Sequence, residues 1–414
     1  MQHAGCACLQ GAHNTEIRMK ITKVESIHAD GGYRTCSYLK VTTDEGLVGW
    51  SEYYDRFANA NIDPLIQDFA RTAIGMDPRL VGRLSETLLA TTRLAAGGLA
   101  QQAVAAIENA CLDLAGKALG VPVSTLLGGA LRDRLLVYWT HCGSYRVPPR
   151  DAFYEGLGYS PVRTLDDLAA VAREAVAQGY RAVKTNPVFF GGARPAFFTG
   201  GFRVAPGFLD RSLSDRQVGQ VVEQMAAYRE AVGPDVGLML DMSFSQRTEG
   251  YLRVARQLEP LNLMWLELDI NDPQALGLIR RSTRTPIASL ESLHGIAEYR
   301  PFLQAQTVDT AIVDPMWNGV WQSVRIALFA DAYETTFAPH NPVGALGSLM
   351  SAHLSAVLPN FRIMELRVDE APWTLDYLTH PPVVENGELL VPTRPGWGTD
   401  INEEALRARP AKDR

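Results

Sequence analysis

The chain has 414 residues, 46% hydrophobic and 21% charged, which is enough for about two domains and allows one to be a barrel of roughly 250 residues. Its 39 basic and 46 acidic residues give a net charge of −7 with no Lys/Arg block, which argues against a nucleic-acid surface, and no apolar run approaches the roughly 18 residues of a membrane span. Five cysteines, at 6, 8, 36, 111 and 142, are odd in number and scattered, so a reducing, cytoplasmic setting is expected.

Residues 1–18 lack the basic start and long apolar middle of a signal peptide and read as a disordered leader. From residue 20, KITKVESIHA and SYLKVTTDEGLVGWSE alternate as β-strands, with a DEG turn inside the second, and predict a small antiparallel sheet. Val104, Ile107, Cys111, Leu114 and Ala118 then repeat at helix spacing, and Gly120 stands where that helix should stop. Residues 19–135 are therefore expected to form an α+β domain.

Past residue 136, strand and helix alternate. LLVYWTH reads as the first strand and RAVKTN as the second, with a helix between them opening at Thr164 and closing at Gly179. Ser214 and Gln217 form a predicted capping box for the next helix. Further strands are expected at 237–242, 264–269, 287–292, 310–315, 335–340 and 363–367. Eight strands alternating with helices imply a closed parallel α/β barrel, here over residues 136–369. A Gly/Phe/Arg-rich loop at 189–213 interrupts the rhythm and reads as a lid or an oligomer contact, with a passive surface insertion as an equal alternative. Asn386 and Gly387 predict a short hairpin that returns the C-terminus to the first domain.

Asp241, Glu267, Glu291, Asp314, His340 and Glu365 each end a short apolar run, at gaps of 26, 24, 23, 26 and 25 residues. A barrel aims such strand ends at one mouth. Asp241, Glu267 and Glu291, on three adjacent strands, offer three carboxylates to one hard cation, for which Mg²⁺ is the expected ion. Asp314 can fix the tautomer of His340, leaving its other nitrogen free to take a proton. Lys184, at the end of the second strand, is expected to have a lowered pKa and to act as acid, base or electrostatic partner. Together these groups suit proton removal alpha to a carboxylate.

KVTTDEGLVGWSE, AGKALGVPVSTLLGG, the three acids, the Asp314/His340 pair within FAPHNPVG, and RPGWG together resemble the mandelate racemase branch of the enolase superfamily, from about residue 19 to 410. The resemblance implies a capping domain, built from the N-terminal region and the C-terminal tail (370–410), over a (β/α)7β barrel with Mg²⁺ on Asp241, Glu267 and Glu291. Where such proteins often carry K-x-K, this chain has Lys184, Thr185, Asn186. The missing second lysine favours an acid-sugar dehydratase, a hydro-lyase acting on an aldonate or aldarate, over a racemase or epimerase using Lys184 and His340. A non-catalytic metabolite-binding or scaffold barrel is the third reading. Asn186 and Glu365 are the expected substrate contacts, and Tyr33, Arg34, Tyr53, Arg56, Trp139 and His141 are candidates around the mouth. The expected partners are a small anionic sugar acid and further copies of the chain, as a dimer or an even multiple.

Overall fold

The computed structural model describes residues 19–55, 61–198, 200–201, 211–342 and 344–412. The expected leader, Cys6, Cys8, Arg56 and part of the 189–213 loop lie outside the described residues. No helix among the described residues is long and apolar enough to cross a membrane.

Strands β1 (Ile21–Gly31), β2 (Arg34–Thr43) and β3 (Val48–Tyr53) form an antiparallel meander. The helix Gly98–Leu119 lies against it and ends at Gly120, whose φ of 68° is a left-handed cap. Its approach is so close that a Cβ on Gly49 would stand 2.2 Å from the Ala110 carbonyl oxygen, so only glycine serves there.

The barrel follows. Its strands are β4 (Arg134–Trp139), β5 (Ala182–Thr185), then, after a small hairpin of β6 (Val188–Phe189) and β7 (Ala196–Phe197), β8 (Gly237–Asp241), β9 (Trp265–Glu267), β10 (Ile287–Ser289), β11 (Thr310–Val313), β12 (Thr336–Pro339) and β13 (Met364–Leu366). The parallel ladder runs β12-β11-β10-β9-β8-β5-β4, and β13 joins the far side of β4. Closure between β12 and the segment leading into β13 rests on one parallel bridge, Phe337 to Phe361, with Phe337 N–H to Asn360 O and Arg362 N–H to Phe337 O at 2.9 Å each. Each of the seven connections between the eight strands carries at least one helix, so the barrel is (β/α)7β. Thr164 and Ser214 both cap their helices through reciprocal boxes, with Asp167 and Gln217.

Several strands stop short of their predicted C-terminal ends. Ser289 ends β10 because Leu290 turns to a φ of 93°, and Asp314 leaves β11 to cap the short helix Pro315–Asn318. A hairpin across Asn386 (φ 52°) and Gly387 (φ 75°) joins β14 (Val384–Glu385) to β15 (Glu388–Leu390), and β15 adds antiparallel to β4. The tail then crosses to the first domain. There the buried Asp113 accepts the N–H groups of Trp50 and Trp397 at 2.9 Å each and pairs with Lys117 at 2.7 Å.

Candidate active site

One inward residue per strand forms the barrel floor: Tyr138, Ala182, Met239, Trp265, Ala288, Ile312, Ala338 and Ile363. Side chains on one face of a strand recur every second residue. Two positions further on, toward the C-terminal mouth, stand Thr140, Lys184, Asp241, Glu267, Asp314, His340 and Glu365. Glu291 breaks the phase, being three residues past Ala288, and the left-handed Leu290 supplies the compensating turn. Seven of the predicted site residues thus share one mouth, and Asn186 joins them through its bond to Asp241.

Trp139 has the opposite phase. It packs outward, against Tyr180 at 5.6 Å between ring centroids and beneath the Arg146 guanidinium at 5.5 Å, and so does not line the mouth.

Lys184 is buried, with Nζ 2.9 and 3.0 Å from the two Glu267 oxygens and 3.1 Å from Glu365 Oε1. The lowered pKa expected for it is corrected here. Burial alone would lower it, but Glu267 and Glu365 outweigh burial and hold it well above the ordinary lysine value. Lys184 is therefore an ammonium between two carboxylates.

Across the barrel, His340 Nδ1 lies 2.7 Å from Asp314 Oδ2, while Asp314 Oδ1 accepts the N–H groups of Met316 and Trp317 at 2.7 and 3.0 Å. His340 Nε2 faces Glu291 Oε2 at 3.4 Å. Burial would depress the imidazole, yet Glu291 and Asp314 raise it to about 10. The Trp317 ring leans on it, 5.2 Å between centroids.

Asn186 bridges neighbours. Its Oδ1 lies 2.7 Å from His141 Nδ1 and accepts the Ser144 hydroxyl at 3.0 Å, and its Nδ2 donates to Asp241 Oδ2 at 3.1 Å. Glu365 is also fully engaged, accepting Thr140 Oγ1 at 2.6 Å and the Asn341 N–H at 2.7 Å beside Lys184. Burial opposes its charge, but Lys184 and His340 bring it down to about 2.

Asp269 was not among the expected site residues, although it stands two positions past Glu267 on the same inward phase. It is buried, and burial together with the charges of Asp241 and Glu267 pushes its carboxyl up to about 8. Glu291 is raised well above its ordinary value, first by burial and then by neighbouring acids against the pull of His340. Four carboxylates at one mouth oppose one another, and an all-oxygen anionic donor set fits a hard divalent cation. Among the described residues, three ligand atoms come within 4.8 Å of one another at His28, Asp55 and Asp63 in the first domain, and not at Asp241, Glu267 and Glu291. Here Glu267 is turned to Lys184 and Glu291 to His340. His28 has both ring nitrogens engaged, by Ser37 Oγ at 3.0 Å and Asp63 Oδ2 at 2.6 Å.

Residues 22–128 match the profile described as the mandelate racemase / muconate lactonizing enzyme N-terminal domain, and residues 167–405 match the enolase C-terminal domain-like profile. A D-xylonate dehydratase of Haloferax volcanii is 28% identical over 94% of this chain and 88% of its own. A D-galactonate dehydratase of Xanthomonas euvesicatoria is 27% identical over 94% of both chains. A crystal structure from Burkholderia xenovorans, provisionally described as an L-alanine-DL-glutamate epimerase, is 39% identical with a TM-score of 0.90, over 95% of this chain and 98% of its own. A second structure of that protein, 39% identical with a TM-score of 0.90 over 95% of this chain and 96% of its own, is bound to magnesium and fumarate.

Proposed function

We propose, on the premise that this chain belongs to the mandelate racemase / muconate lactonizing enzyme family of the enolase superfamily, that it is a Mg²⁺-dependent hydro-lyase. Its substrate is a sugar acid, dehydrated to a 2-keto-3-deoxy acid, in keeping with the dehydratases it is similar to.

Asp241, Glu267 and Glu291 would hold the cation, with Asp269 adjoining. When bound, it supplies positive charge beside the substrate carboxylate as negative charge grows there. With Glu291 engaged by the cation, its pull on the imidazole would be relieved, and a neutral His340 Nε2 would take the C2 proton, because Asp314 Oδ2 anchors the ring at Nδ1 and balances the imidazolium that forms. That imidazolium can return the proton to the departing C3 hydroxyl, so water leaves and the enol tautomerises to the 2-keto acid. Lys184 stabilises anionic charge from the other side.

The observation that carries dehydration is the asymmetry of the two faces. One face presents an Asp-backed histidine; the other presents an ammonium already shared by Glu267 and Glu365, with Asn186 tied to His141 and Asp241. Inversion at C2 needs a base on each face, and elimination needs one. Incubating the protein and Mg²⁺ with a broad library of aldonates and aldarates should yield 2-keto acid from at least one member. Silence across the library would refute the proposal.

The resemblance to the Burkholderia protein favours a second reading, epimerisation of a 2-hydroxy acid by Lys184 and His340. In D₂O that reaction gives deuterated C2 isomers without loss of water.

A further inference from the structure

The mouth carries more positive charge above the acid layer than its own carboxylates balance. Arg367 stands two residues past Glu365, one layer higher on the same inward phase. Arg34 reaches the same place from β2. Arg34 Nη1 donates to the Pro342 carbonyl at 2.7 Å and its Nη2 meets Glu370 Oε1 at 3.0 Å, while Arg367 Nε lies 2.9 Å from that same oxygen. Arg367 Nη1 also reaches the Pro342 carbonyl, at 3.4 Å, so both guanidinium groups meet the chain two residues past His340. Glu52 also faces Arg34, but its oxygens accept the Gly344 and Gly347 N–H groups at 2.8 and 2.9 Å.

Arg150 makes the third cation. It touches three rings, Tyr145 at 4.1 Å, Tyr33 at 4.7 Å and Phe197 at 4.8 Å, and has no carboxylate partner among the described residues. Its Nε and Nη1, together with Nε of the buried Arg34, are enclosed without a hydrogen-bond acceptor, whereas Arg367 Nε is already paired with Glu370. Aromatic faces attract a guanidinium but accept none of its in-plane N–H groups. Tyr145 ties the cluster to the acid layer. Arg367 lies 5.3 Å from its ring, and His141, bonded to Asn186, stacks on it at 3.8 Å.

We propose that Arg150, with Arg34 and Arg367 behind it, forms an anion subsite for a second charged group, so that the substrates are sugar diacids in preference to sugar monoacids. This rests on the dehydratase reading above. An aldonate ends in a neutral hydroxymethyl group, whereas the distal carboxylate of an aldarate supplies acceptor oxygens and the balancing charge.

The test uses the full chain with Mg²⁺ and stereochemically matched pairs, galactarate with galactonate and glucarate with gluconate. Binding is measured on His340→Asn by calorimetry, and turnover on the wild type by 2-keto acid formation. The diacid is expected to bind at least tenfold tighter than its monoacid, and Arg150→Gln, which keeps a planar group among the rings, should weaken diacid binding at least tenfold more than monoacid binding. Equal or tighter monoacid binding, or an equal loss for both in Arg150→Gln, overturns the subsite. The comparison between diacid and monoacid needs no variant at Arg150, so it decides even if that variant misfolds. If no acid is turned over, the dehydratase reading falls while the binding comparison still judges the subsite.

Discussion

Asp314 divides its carboxylate between structure and chemistry: Oδ1 caps the helix Pro315–Asn318 through two N–H groups, and Oδ2 holds His340 Nδ1 at 2.7 Å. Asp314→Asn keeps an oxygen for the cap and removes the charge behind the imidazole. Activity should fall by about 10²–10⁴-fold, the range of general acid–base contributions, with little change in melting temperature. Asp314→Ala should add the loss of the cap, about 1 kcal/mol or more by urea denaturation.

Removing the cation is the second check. Excess EDTA should abolish 2-keto acid formation, Mg²⁺ should restore it, and Glu291→Gln should require more Mg²⁺ for half-maximal activity. Activity that survives exhaustive chelation would count against a cation on the acid layer.

A pH effect on stability follows from Glu108, buried on the helix Gly98–Leu119 and accepting the Ser85 hydroxyl at 2.6 Å and the Trp321 N–H at 3.1 Å. Burial raises its carboxyl to about 7, against the pull of those donors. A raised folded-state value means that the native state binds the proton more tightly. Its contribution is fully present below the unfolded value of roughly 4.5 and is lost as pH climbs through about 7. It amounts to about 3 kcal/mol at most. Melting temperatures of the wild type should therefore decline from pH 5 to pH 8 more steeply than those of Glu108→Gln.

The C-terminal tail is anchored at Asp113. Asp113→Ala strands the N–H groups of Trp50 and Trp397 and leaves the Lys117 ammonium facing a cavity. A loss of about 3–5 kcal/mol is expected in urea unfolding, as for a broken buried ion pair. Asp113→Asn, which keeps an acceptor, should lose less.

Much of the site was legible because a barrel converts even spacing into convergence. The gaps between Asp241 and Glu365 brought six groups to one mouth, and the two-residue phase of a strand explains why all but Glu291 follow a floor residue such as Met239 or Ala338. The same phase pointed to Asp269, had it been applied one step past Glu267. The protonation of Lys184 was not legible, because it depends on the close approach of Glu267 and Glu365, the latter brought near by pairing of β13 with β4. Nor was the displacement of Glu291, which turns on the backbone of Leu290. The arginine cluster joins residues 34, 150 and 367, positions with no common spacing, so only tertiary structure assembles it.

Between β12 and β13 one backbone bridge stands in place of a ladder. Above it, Glu365 accepts from Thr140 beside β4, from the Asn341 backbone just past β12, and pairs with Lys184 on β5. That carboxylate is thus the rivet of the cylinder as well as a wall of the reaction chamber.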